Sequence, residues 1–439
     1  MSIVWQSSFY FLCQIVSFGL TILSDIILSR IIGPSGRGIY STITSFVLLA
    51  VGLLILGMGY APTYILAKRK ATLKEVHSSI LLVIVTVSVL VVIFTIFFRH
   101  LLRGSIGEVI QQHLGFILIL IPLGCYKQCW YALMIGMNKV IDIGKAIVIF
   151  AFIGSVLFIL FLYILKLGLT GALLALVITD SIIILIMLFK VYVMGGNGFS
   201  FNLHVLREIV TFGGISHIGN IAVQIYQRFG IFALGAIAGM TQVGYYTLAT
   251  NLAEKQLSTL TPIIVASNYR IIGDDKYSAE QLLMKTTRFA STIFLIACSV
   301  IMLFSWWIVP RLYGEAFTPA VVPLIILMPG VAAFGLSSNL STYFSGQLGK
   351  PAITTGIAFI NLIISIPLIY LFTKSFHLIG TAIATTSIYI IGFMPLFFLF
   401  IGKSKANPFQ LLIIQYEDIK IIHALILRKF YTFRPPFNK

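Results

Sequence analysis

Apolar positions along this chain gather into long runs, 18 or more residues each, separated by short clusters of Gly, Pro, Asn and charged residues. Read against those turn signals, the runs predict twelve spans near 4–31, 40–67, 78–99, 113–136, 145–166, 169–193, 209–237, 243–270, 288–309, 320–346, 352–373 and 379–402. Each is long enough to cross a hydrocarbon core about 30 Å thick. Composition agrees: 59% of residues are hydrophobic and only 10% charged, where soluble domains carry about 25%. The expected class is therefore an all-α polytopic membrane protein with about twelve transmembrane helices. No soluble catalytic domain fits between the spans. The start, MSIVWQSSFYFLCQ, lacks a basic leader and a small-residue cleavage site, so the first span is expected to be retained.

Charge sets the expected orientation. Lys and Arg number twenty in the loops after even-numbered spans together with the tail, and seven in the loops after odd-numbered spans. The positive-inside rule then puts both termini in the cytoplasm. That distribution accounts for much of the net charge of +17 through topology and contact with anionic lipid, without nucleic acid. The basic tail, 403–439, is apolar but broken by Glu417, Asp418 and Lys420, and reads as an interfacial helix. Cys13, Cys125, Cys129 and Cys298 all fall inside apolar runs. Cys125 and Cys129 share a helix face without clustered His or carboxylate, so packing is expected and no metal site.

The chain also repeats. Shifted by 206 residues, the stretch 26–44, which overlaps "SDIILSRIIGPSGRGIYST" (24–42), meets 232–250, with Leu28 on Leu234, Gly33 on Gly239, Gly38 on Gly244, Tyr40 on Tyr246 and Thr44 on Thr250. A second echo sets Gly136 on Gly346, and "GLTGALLALV" (168–177) on "HLIGTAIATT" (377–386). Two six-span halves follow, 1–194 and 209–402, joined by a cytoplasmic linker at 195–208. Six is even, so both halves enter the membrane in the same sense. They should be related by an axis along the membrane normal, with a central cavity between them.

The turn "R-x2-G-P-x-G-R-G-x-Y" (Arg30 to Tyr40), its weaker echo at Gly239 to Tyr246 and the 6+6 layout resemble the Wzx-type polysaccharide flippases. These form the polysaccharide transport branch of the multidrug/oligosaccharidyl-lipid/polysaccharide exporter superfamily. The resemblance covers about residues 1–402. It implies alternating-access flipping of an undecaprenyl-diphosphate-linked oligosaccharide from the inner to the outer leaflet of a bacterial inner membrane, for O-antigen, capsule or exopolysaccharide synthesis. The implied partners are that substrate, membrane lipids, and the polymerase and chain-length regulator of the same pathway.

Ionisable groups inside spans carry the candidate chemistry, since each costs about 2.5–3.5 kcal/mol when it faces lipid at the bilayer centre. Lys127 and Asp180 sit near the middle of spans four and six, Arg228 in span seven, Glu254 and Lys255 in span eight, and Asp25 in the outer part of span one. His217, Asn220, Gln224, Gln227 and Arg228 line one face of span seven, and Thr247, Asn251, Glu254, Ser258 and Thr261 one face of span eight. Span one adds Tyr10, Gln14, Ser17, Thr21 and Ser24, and span ten Ser338, Thr342 and Ser345. Such stripes either pair within the bundle, at about 0.6–2 kcal/mol per hydrogen bond, or line a hydrated cavity. Arg228 and Glu254, at similar depth on successive helices, suit a fixed pair. Lys127 and Asp180 each stand alone on their helices.

For a diphosphate-linked glycan, Arg228, Lys127 and Lys255 are the available cations, with arginine matched to phosphate by its donor fork. Gln224, Asn220, Asn251, Ser258 and the span-one hydroxyls are suited to sugars, and His217 shares their stripe. Asp25, Asp180 and Glu254 are the candidate coupling groups, through H⁺ or Na⁺, with no other cofactor expected. Three rivals compete: a drug/cation antiporter of the same superfamily, a membrane polymerase or ligase, and a channel. The short outward loops disfavour the enzyme and the repeat disfavours the channel. The chain has no Walker A sequence, so ATP hydrolysis is not the expected energy source.

Overall fold

The computed structural model describes residues 3–55, 58–59, 61–98, 104–212, 214–273, 276–404, 407–412 and 415. Asp274–Asp275 and most of the basic tail lie outside the described residues, as does the side chain of Ser258. Among the described residues every regular element is helical.

The first helix, α1 (Ile3–Leu54), is two spans joined at Gly33, whose φ of +67° leaves the helical region. Twelve residues of straight helix would separate Asp25 from Arg37 by about 18 Å. Instead they form an ion pair at 2.9 Å, so the chain folds back at Gly33. Pro34 opens the second limb, where its missing N–H costs nothing. The predicted second span is interrupted: α1 stops at Leu54, and α2 (Ala61–Ala67) resumes it beyond the Gly/Pro-containing stretch "ILGMGYAP". There follow α3 (Leu73–Phe98), the short α4 (Gly104–Gln112), α5 (Leu114–Gly136), α6 (Val140–Phe158) and α7 (Gly168–Val191). The expected linker holds α8 (Leu203–Phe212), which packs on α2 and α3. Lys70 reaches Glu208 on α8 at 2.5 Å, and that carboxylate draws the ammonium pKa upward.

The second half comprises α9 (Gly214–Ala238), α10 (Met240–Gly273), α11 (Lys276–Tyr313), α12 (Val321–Thr342) and α13 (Pro351–Ser404), followed by α14 (Pro408–Leu412). Like α1, α13 is two spans, broken at His377 with φ +47°. Nine described helices are long and apolar enough to cross a membrane. With α1 and α13 counted twice and the more polar α10 added, twelve crossings result. Burial follows lipid rather than water: Leu303, Leu295, Phe97 and Phe189 are exposed on the outside, while Trp130, Cys125 and Cys129 lie in the core of the first half.

Both sequence echoes mark the same geometry in the two halves. Gly33 and Gly239 each carry positive φ, +67° and +83°. A β-carbon on Gly38 would overlap the Met240 carbonyl, and one on Gly244 would overlap the Pro34 carbonyl. Pro34 and Met240 are themselves 206 residues apart, so the two turns interlock reciprocally, each glycine admitting the other's backbone. In the second echo, Gly168 has φ +59° and its counterpart His377 has φ +47°. A side chain held in such a conformation costs about 1–3 kcal/mol. His377→Gly is therefore expected to raise the thermal midpoint in detergent, by an amount matching about 1 kcal/mol; an unchanged or lower midpoint would mean that the histidine is held by compensating contacts.

Candidate functional site

Each arginine of the sequence turn ties the interlocked α1 turn to α11 or to its own helix. Arg30 donates through Nε to the Leu312 carbonyl at 2.7 Å and through Nη2 to the Arg311 carbonyl. Those carbonyls are unpaired acceptors at the C-terminal end of α11, where a cation is favoured. Arg37 has no exposed surface. It pairs with Asp25, donates to Ser29 Oγ and lies 6.0 Å from the Tyr313 ring centroid. The Tyr313 hydroxyl in turn hydrogen-bonds Asp25. Arg37, placed in an outward loop by the sequence pattern, is thus a core residue bridging α1 and α11.

Three cavities bear on the candidate residues. The first, about 530 Å³, is walled by α1, α6, α7 and α10, and Gln14, Ser17, Thr21, Ser24, Asp25, Asn251, Glu254 and Lys255 line it. Lys255 donates to Thr21 Oγ1 at 3.2 Å and sits 5.5 Å from the Phe18 ring centroid. The second, about 510 Å³, runs between the halves and is lined by Lys127, Gln128, Tyr131, His217, Asn220 and Gln224. Buried polar atoms without partners face this region: His217 Nε2 and Gln224 Oε1. The third, about 580 Å³, lies within the second half between α9, α12 and α13. Asn220 and Val223 belong to the walls of both the second and the third.

The three intramembrane carboxylates are each engaged by one cation. Asp25 takes Arg37. Asp180 takes Lys127 at 2.7 Å, with the lysine 4.7 Å from the Phe150 ring centroid. Glu254 takes Arg228 at 3.6 Å. The sequence pattern left Lys127 and Asp180 each alone on its own helix; the packing of α5 against α7 brings the two together. Arg228 lines none of the three cavities, and touches the first only through Glu254. Among the described residues no three His, Cys, Asp or Glu side chains cluster as a metal site.

Known proteins place this architecture. The chain is similar to a multidrug resistance MATE family transporter of the MOP superfamily in its inward-facing conformation, at 17% identity and TM-score 0.69, over 90% of this chain and 96% of that one. It is similar also to the outward-facing conformation of such a transporter, at 18% identity and TM-score 0.66, over 92% and 97%. A MOP superfamily transporter from Pyrococcus furiosus, noted for reverse polarity of its binding pocket, matches at 16% identity and TM-score 0.63, over 92% and 96%. No protein of curated function matches in sequence. The fold is the multi-pass helical arrangement shared with those transporters. Residues 4–274 match the family model described as "Polysaccharide biosynthesis protein", and the chain belongs to that flippase-type family.

Proposed function

We propose that this protein flips an undecaprenyl-diphosphate-linked oligosaccharide from the cytoplasmic to the outer leaflet of a bacterial inner membrane, by alternating access and with both termini in the cytoplasm. The observation that supports the reading is a pair of polar, lysine-containing cavities in a bundle whose α1 and α10 turns interlock through Gly38 and Gly244. A sugar hydroxyl stripped of water without a partner costs roughly 2–7 kcal/mol, so the hydroxyl- and amide-rich walls replace its hydration. Lys127 and Lys255 stand in those walls for the diphosphate, and Arg228 is one ion pair away. With the positive-inside orientation, the interlocked turns face outward and the lumen receives its load from the cytoplasm.

The same three carboxylates serve as coupling groups in this reading. A proton or Na⁺ on Asp180 or Glu254 weakens its hold on Lys127 or Arg228, and the freed cation binds the diphosphate. Substrate and coupling ion then compete for one pair of charges. In proteoliposomes loaded with lipid-linked oligosaccharide, Arg228→Ala and Lys127→Ala are each expected to slow flipping about tenfold or more, as for loss of a charge-assisted phosphate contact. Unimpaired flipping by both variants would remove the pairs from the mechanism. Export of cationic dyes by wild-type protein that fails to flip the lipid would instead establish the antiporter reading.

A further inference from the structure

The third cavity differs chemically from the other two. The first two contain Lys255 with Asp25 and Glu254, and Lys127. None of the residues lining the third is charged. We propose that this cavity, in the second half, is a subsite for the uncharged sugars of the carried molecule, held apart from the positions that meet its diphosphate. This inference rests on the flippase reading and assigns the two ends of the substrate to different walls of the lumen.

Asn361 is the central observation. Its side chain is almost fully buried, at 3% exposure, and lies in the cavity wall. The amide group packs over Gly392, where any β-carbon would collide with its Nδ2. Its carbonyl oxygen Oδ1 has no partner. Buried acceptors of this kind are exceptional in folded proteins, and each calls for an explanation. Oδ1 is shielded as the wall stands, and a turn of the amide would bring it to a hydroxyl donor arriving in the cavity.

Around that acceptor the wall is aromatic. Tyr389 stands 5.1 Å from Phe334 and 6.3 Å from Tyr226, centroid to centroid, with interplanar angles of 37° and 65°. Aromatic faces carry partial negative charge, which suits the positively polarised C–H face of a sugar ring. The opposite wall offers hydroxyls. Thr342 donates to the Ser338 carbonyl, and Ser345 and Thr354 share a 2.9 Å bond, so their remaining lone pairs are available to a ligand. A cavity with one orphan acceptor, an aromatic cluster and hydroxyls fits a neutral carbohydrate. A diphosphate would find no cation there, a cationic drug no carboxylate, and a polyprenyl chain would leave the amide unsatisfied. Through Asn220 and Val223 the cavity adjoins the one containing Lys127, so both ends of one molecule are held together.

The test compares three probes on the full-length protein in nanodiscs: lipid-linked oligosaccharide extracted from the producing cells, undecaprenyl diphosphate, and the free glycan released by mild acid. Asn361→Ala and a valine in place of Thr355, another hydroxyl in the wall of this cavity, are expected to weaken binding of the lipid-linked oligosaccharide and of the free glycan about tenfold, leaving undecaprenyl diphosphate unchanged. Lys127→Met should weaken both lipid ligands and spare the free glycan. Thr355→Val preserves shape, so it keeps the test valid if Asn361→Ala does not fold. Equal losses for both lipid ligands, or no loss for the glycan-bearing ones, would overturn the subsite. Wild-type protein that binds the free glycan but neither lipid would sink the flippase reading alone. Absence of binding by all three probes would overturn both.

Discussion

A valine in place of Gly38 is expected to hold the outer end of the lumen open. The close approach of the Met240 carbonyl leaves no room for a β-carbon, and the same holds for Gly244 against Pro34. Overpacking costs about 1–3 kcal/mol, which corresponds to roughly a 5- to 150-fold change in the ratio of sealed to open molecules. Thr42 lies fully buried beneath this contact, its hydroxyl bonded to the Gly38 carbonyl. With the four native cysteines replaced, Thr42→Cys therefore reports the seal through a membrane-impermeant maleimide. Labelling should rise strongly and to a similar extent with Gly38→Val and with Gly244→Val, although these glycines belong to different halves. Gly19→Ala, whose added β-carbon meets nothing within 4 Å, should change it little. If only one of the two valines raises labelling, the reciprocal seal is wrong.

The second large effect concerns Asp25. Its removal leaves the Arg37 guanidinium, with no exposed surface, beside Ser29 and Tyr313 and without a counter-charge. Arginine cannot shed its proton, so the deficit cannot be relieved by neutralisation. Breaking a buried pair from one side costs about 3–5 kcal/mol. Asp25→Ala is expected to lower stability in detergent by that amount, whereas Asp25→Asn combined with Arg37→Met should recover most of it, because no charge remains to be buried. Denaturation midpoints of the single and double variants decide the matter. Strictly additive losses would show that the two groups do not depend on each other.

Much of the architecture was legible in the sequence. The repeat located Gly33, Gly38, Gly239 and Gly244 in register, yet gave no reason for them. Their reason is contact between one copy's glycine and the other copy's backbone, which a comparison of the copies cannot display. The polar stripe of α9 was readable from helical periodicity, and His217, Asn220 and Gln224 do share one cavity. Arg228 belongs to the same stripe, but one further turn along the helix carries it to Glu254 instead. Asn361 and Tyr389 passed unnoticed because single polar or aromatic residues in apolar runs have no periodic signature; only their convergence singles them out.

By itself the sequence determined the class of molecule and the positions of most spans. Lipid imposes these through apolar length, a one-dimensional quantity that survives in the order of residues. The tertiary structure alone decided which charges meet: Lys127 with Asp180 across α5 and α7, and Arg37 with Asp25 across the fold-back at Gly33. It also decided that the lumen divides into charged and uncharged cavities. Those outcomes depend on helix rotation and on which helices pack side by side. Ion pairs and cavity walls require atoms to lie within a few ångströms of one another, and residues far apart in the chain reach that range only through packing.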